Sequence, residues 1–168
     1  MKAKNGTSTI RLVRGALIAA AYAALSYISS PLQVMFFQFR LSEALCILPI
    51  FLPEATVGLF LGCIVANYIS GCVIWDVVFG SIATLIGAIL ARVLRRIPEK
   101  LKLIATLPTV LANAFIVPFV IINAYGSTDS YWFLFVTVAL GELVTATGVG
   151  TLLYYNLKRT GLFTERSK

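Results

Sequence analysis

Long apolar runs dominate this chain, and polar residues interrupt them at only a few places. Two uncharged runs, Gly15 to Phe39 and Leu103 to Thr128, are long enough to carry a helix across the ~20 residues of a bilayer core. Breaks are supplied by Pro31, by the pair Pro49 and Pro53, by Gly71, by a basic cluster, and by the polar segment AYGSTDS. The pattern predicts an all-α membrane protein with six transmembrane helices, over residues 10–29, 41–52, 54–70, 75–97, 101–124 and 131–157. It forms a single integral membrane domain with no soluble module attached. The second helix is the weak element. At ~12 residues it rises only ~18 Å against a core of ~30 Å, so it is either tilted and extended by its loop or does not fully cross.

Composition agrees with a hydrocarbon solvent. Hydrophobic residues make up 59% of the chain and charged ones 12%, whereas a soluble domain carries roughly a quarter charged. The charges also mark a topology. Of 14 Lys and Arg, four open the chain (Lys2, Lys4, Arg11, Arg14) and five cluster at the end of the fourth helix and just beyond it (Arg92, Arg95, Arg96, Lys100, Lys102). Four more close it (Lys158, Arg159, Arg166, Lys168), and Arg40 alone lies elsewhere. Cytoplasmic segments retain Lys and Arg, and six helices with cytoplasmic N- and C-termini put every cluster on that side. The opening MKAKNGTSTIRLVRG then reads as a cytoplasmic tail leading into a retained first helix. A net charge of +7 does not point to nucleic acid, because basic and aromatic residues are not interleaved.

Little chemistry is on offer. The chain has no histidine, and Cys46, Cys63 and Cys72 show no CxxC spacing, which excludes a metal centre and a His-based dyad. The cysteines read as packing residues, no cofactor is expected, and the chain is not expected to be an enzyme. Without a GxSxG elbow or a ligand cluster, a membrane enzyme has nothing to run on.

Ionisable groups inside a membrane are costly unless paired or hydrated, so each is a functional candidate. On the six-helix map, Arg40, Glu43, Asn67, Asp76 and Asn123 fall near the outer surface, Asn113 about midway, and Glu142 ~16 Å below the outer end of its helix. Three carboxylates beside one arginine suit a small cationic ligand rich in N–H donors. We take Arg40, Glu43, Asn67, Asp76, Asn113 and Glu142 as the candidate substrate-binding residues. Bland readings compete. Arg40 and Glu43 have the spacing to pair along a helix, Asp76 has the place of a helix cap, and Asn67 and Asn113 suit interhelical bonds. Glu54, behind Pro53, is assigned to a helix start. Glu142, mid-helix and far from any cap, has no such explanation.

Small residues form a second pattern. Ala16, Ala20 and Ala24 recur every four residues on the first helix, and so do Ala19 and Ala23. Such a face lets another helix approach closely, whether within the chain or from a partner subunit. Gly58, Gly62, Gly80 and Gly87 are assigned to internal packing.

RLSEAL (Arg40 to Leu45), GLFLGCIVAN (Gly58 to Asn67), DVVFGSIATLIG (Asp76 to Gly87) and the pair Gly141–Glu142 resemble the QueT family, over nearly the whole chain. The resemblance implies a substrate-binding (S) component of an energy-coupling factor (ECF) transporter in a prokaryotic plasma membrane. Such a component has six helices and no ATPase. It captures its substrate at the outer face and docks, through helix 1 alanines, on a module of one membrane scaffold and two ATPases. It is thought to topple in the membrane to release substrate inside. The substrate implied is a queuosine precursor, a 7-deazaguanine such as the aminomethyl form. Glu142 or Glu43 would then read the purine-like edge and Asp76 the ammonium. Asn67 and Asn113 would reach the ring carbonyl or nitrogens, Arg40 would orient Glu43 or close the loop, and Phe36, Phe37 and Phe39 would stack on the ring. Two rivals stand beside this reading. One is the same architecture for another vitamin-like heterocycle. The other is an autonomous proton-coupled carrier using Glu43, Asp76 and Glu142, against which the chain shows no inverted repeat.

Overall fold

A computed structural model describes residues 2–33 and 39–161, side chains being described from residue 8 to 31 and from 39 to 161. Phe36 and Phe37 lie outside the described residues. Those that are described form helices and short turns, with no strand among them. α1 runs Lys2–Ser29, α2 Glu54–Ile69, α3 Ile74–Val93, α4 Leu107–Tyr125, α5 Tyr131–Glu142 and α6 Gly150–Arg159. A 3₁₀ helix, Glu99–Thr106, leads into α4, and a π-helical turn, Leu143–Val149, joins α5 to α6 without a break. Four helices among the described residues are long and apolar enough to cross a membrane: Ser8–Ser29, Ile74–Arg96, Glu99–Tyr125 and Tyr131–Arg159. Leu41–Ile50 and Glu54–Ile69 are apolar but shorter.

Residues 41–52, expected as an α-helix, are a 3₁₀ helix over Leu41–Ile50. At about 2.0 Å per residue it extends ~20 Å, which is still short of a full crossing. It is the central pillar of the molecule, packed by α1, α2, α3, α6 and the π turn. Eight of its residues are buried, Glu43 and Ser42 included. Its end is capped from outside, since Arg92 Nη1 donates to the carbonyls of Pro49 (3.1 Å) and Ile50 (3.2 Å). A helix end buried without such a donor would leave carbonyls unsatisfied.

Close packing of α1 on α2 follows from two glycines. A Cβ on Gly58 would sit 2.6 Å from the Gly15 carbonyl oxygen, and one on Gly62 would sit 2.8 Å from that of Ala19. Backbones so near require small residues on both sides. Gly87 similarly makes room for Thr109 of α4, 2.4 Å from where its Cβ would lie. The four glycines expected to pack internally thus include three that admit a neighbouring helix.

Polarity is arranged inside out. Leu17, Val57, Leu61, Ile86, Leu111 and Val136 are exposed, while Ser42, Glu43, Asn67, Thr84, Asn113 and Glu142 are buried. An apolar exterior over a polar interior fits a molecule whose surroundings are hydrocarbon.

Candidate functional site

The site begins where the 3₁₀ pillar begins. Arg40 is extended (φ −108°, ψ 97°), so the helix starts one residue later and the two side chains do not share a helical face. The pairing that their spacing suggested does not form: among the described residues no ion pair joins Arg40 to Glu43. Arg40 turns instead toward α2, where Nη2 donates to Asn67 Oδ1 and lies 3.6 Å from Cys63 Sγ. Its guanidinium also stands over the Tyr22 ring, 5.7 Å from the centroid, within the range of a cation–π contact.

Glu43 is held by the protein itself. Tyr22 of α1 donates to Oε1, Thr84 of α3 approaches the same oxygen at 3.4 Å, and the Cys46 thiol donates to Oε2 at 3.1 Å. A buried carboxylate with donors on both oxygens is a satisfied group.

Glu142 is the opposite case. It is 3% exposed, its Oε2 has no hydrogen-bond partner among the described residues, and the same is true of Asn113 Nδ2. The two face each other: the Asn113 amide stands just beyond a full hydrogen bond from the Glu142 carboxylate and still acts on it as a donor, while Glu43 and Arg40 act on it by charge. Buried polar atoms are paired in the great majority of cases, and leaving one unpaired costs about 1–3 kcal/mol. Such a pair, too far apart to close a full hydrogen bond, can be bridged by a ligand that offers a donor to Oε2 and an acceptor to Nδ2. Arg40 Nε is a third buried atom without a partner.

Asp76 joins the group through Gly80. A Cβ on that glycine would fall 3.1 Å from Asn67 Nδ2 and 3.2 Å from Asp76 Oδ1. Asn67 Nδ2 also donates to the Asp76 carbonyl at 3.1 Å. Although Asp76 lies in the first turn of α3, it makes no side-chain cap. Its Oδ2 accepts from the Tyr125 hydroxyl at 3.1 Å. Nearby, Trp75, Phe79, Phe119, Val120 and Asn123 line a cavity of about 290 Å³ between α3 and α4.

The structure therefore gathers Arg40, Glu43, Asn67, Asp76, Asn113 and Glu142 around the start of the pillar. It separates Glu54, which faces Arg14 at 3.8 Å, and the half-buried Phe39 is the only one of the three loop aromatics described. Tyr22 and Thr84 were missed by the sequence reading. The signal for Tyr22 was its place amid a span, away from the interfaces where tyrosines usually sit. The alanines divide by face. Ala19 and Ala23 turn toward α2 and the core, while Ala16, Ala20 and Ala24 are exposed.

No curated protein and no solved structure matches this chain. The profile described as QueT transporter matches residues 12–159, which takes in every helix that lines the site. Four membrane-length helices, an apolar exterior and that match across most of the sequence make this a multi-pass membrane protein, and the chain belongs to the QueT transporter family.

Proposed function

We propose that the chain is the S component of an ECF importer and that it binds a 7-deazaguanine queuosine precursor, in its aminomethyl form, from the outer side of a prokaryotic plasma membrane. Membership of the QueT transporter family supports the transport role. The observation that carries the ligand class is the buried pair Glu142 Oε2 and Asn113 Nδ2, which face each other without closing a normal hydrogen bond. A deazaguanine presents N–H donors beside a ring carbonyl, which a carboxylate and an amide N–H match in that order. Asp76, half-exposed at the near end of α3, is the second carboxylate such a ligand needs for its ammonium. Between the two acids, Glu142 is the better reader of the purine-like edge, since Glu43 already has donors on both oxygens.

In this reading the two shorter helices are the second and third of six membrane segments, the pillar reaching across only together with its flanking residues, and both termini are cytoplasmic beside the basic clusters. Driving force comes from a partner module of scaffold and two ATPases. The exposed Ala16, Ala20 and Ala24 are the alanine register open to that module. The test is a titration of the purified protein in detergent with aminomethyl-deazaguanine, with guanine and riboflavin as controls. Binding of the first alone supports the proposal. Failure of every deazaguanine to bind overturns the ligand class, and riboflavin binding would favour a vitamin transporter of the same architecture.

A further inference from the structure

We infer that Tyr22, buried in the last third of α1, is a positioning residue for the ligand site and acts through Glu43 and Arg40. The inference rests on the site proposed above, but its structural half stands without it. Tyr22 is 0% exposed and touches both charged residues of the RLSE segment: its hydroxyl donates to Glu43 Oε1, and its ring lies beneath the Arg40 guanidinium.

It is also the first of three polar residues at helical spacing on the inward face of α1. Ser26 Oγ donates to Ser42 Oγ at 2.7 Å, and Ser29 Oγ accepts from the Leu41 backbone N–H at 3.4 Å. Tyr22, Ser26 and Ser29 stand four and three residues apart, so they form one stripe. Every one of them grips residues 40–43. Packing alone does not call for hydroxyls here, since an apolar stripe would fill the space without needing acceptors. What the stripe adds is orientation. With Tyr22 on Oε1 and Cys46 on Oε2, the Glu43 carboxyl group is held by both oxygens in one orientation, within electrostatic reach of Glu142. Arg40, resting on the same ring, is kept on Asn67 rather than released to neutralise Glu43.

The experiment compares Tyr22→Phe, Glu43→Gln and the double variant, each as full-length protein in detergent. Phe keeps the ring and its packing and removes only the hydroxyl. Aminomethyl-deazaguanine affinity should fall about ten- to hundredfold in Y22F, the loss expected for a hydrogen bond to a charged group. The unliganded unfolding temperature should fall too, by about 3–10 °C, because Glu43 Oε1 loses its closest donor in the free protein as well. The double variant should bind no more weakly than E43Q alone. Unchanged affinity in Y22F, or losses that add in the double variant, would overturn the inference, as would a loss fully tracked by destabilisation. A ligand-free arm separates this result from the proposed function. The infrared carboxyl band of Glu43, assigned by its disappearance in E43Q, should shift in Y22F. If wild-type protein binds no deazaguanine, the ligand proposal fails while the band still decides the role of Tyr22: no shift would refute it.

Discussion

Gly62 of α2 lies so close to Tyr22 of α1 that a Cβ on the glycine would stand 2.9 Å from the tyrosine Cβ. The packing of the two helices and the placement of the tyrosine hydroxyl are therefore one geometric fact. Whatever separates α1 from α2 also draws Tyr22 away from Glu43.

Gly62→Ala should accordingly destabilise the protein by about 1–3 kcal/mol, the usual effect of overpacking a tight contact. The new methyl meets the Ala19 backbone at 2.8–3.0 Å, and backbone atoms cannot swing aside. Gly148→Ala is the control. Its Cβ would find only the Leu143 carbonyl oxygen, at 3.8 Å, so its effect should stay within about 0.5 kcal/mol. Thermal unfolding in detergent checks both.

Glu142→Gln should weaken deazaguanine binding about a hundredfold while leaving the fold intact, because the amide keeps the shape but puts an N–H, which can only donate, where an accepting oxygen stood. Asn113→Ala should weaken it less, by about tenfold, through the loss of one neutral donor. Isothermal titration of both variants against wild type gives the ordering, and the reverse order would assign the edge to Asn113.

Arg92→Met should cost about 1–3 kcal/mol of stability by stripping the donors from the Pro49 and Ile50 carbonyls. Ligand affinity should change little, since this end of the pillar is remote from Glu43. Unfolding and titration of the same sample separate the two effects.

Cys72 lies in the turn between α2 and α3, outside the membrane-spanning segments, and is partly exposed. Burial first, and the Asp76 charge second, push its thiol above the ordinary cysteine value. Only the thiolate reacts, so its fraction is small at pH 7 and grows as pH rises toward the raised value. A membrane-impermeant maleimide should thus label Cys72 slowly at pH 7 and faster with rising pH, from the outer side alone in the proposed topology. Asp76→Asn should speed labelling at fixed pH. Cys46 and Cys63, both buried, should stay unlabelled until the protein unfolds. Mass spectrometry of labelled peptides reads all three.

Much of this was legible beforehand. The segment starting at Glu54 was placed to within a residue at each end, 54–70 against Glu54–Ile69, because Pro53 and Gly71 bracket it. The last helix was placed to within two residues, 131–157 against a span of Tyr131–Arg159. The 3₁₀ pillar and the π turn were not legible. Hydrophobic patterning reports which residues are apolar, whereas α, 3₁₀ and π turns differ in which carbonyl each N–H chooses. The same limit hid the partner of Arg40. Three-residue spacing predicts a pair only if both residues are helical, and an extended Arg40 faces Asn67, 27 residues away, instead. The polar constellation itself was visible because ionisable residues in apolar spans are few. Its division into a held acid and one with an open oxygen was not, because that depends on where Tyr22 and Thr84 arrive from other helices.

The π turn at Leu143–Val149 makes the final span two helices on one axis, each with its own angular setting. Before the turn, Glu142 is directed at the binding cluster; after it, Gly150 lies against the pillar, 3.2 Å from the Ala44 carbonyl oxygen to its would-be Cβ. The wider turn offsets the angular register of one half from that of the other. A lineage acquiring a new ligand could revise residues 131–142 freely, while residues 150–159 went on fitting the same neighbour.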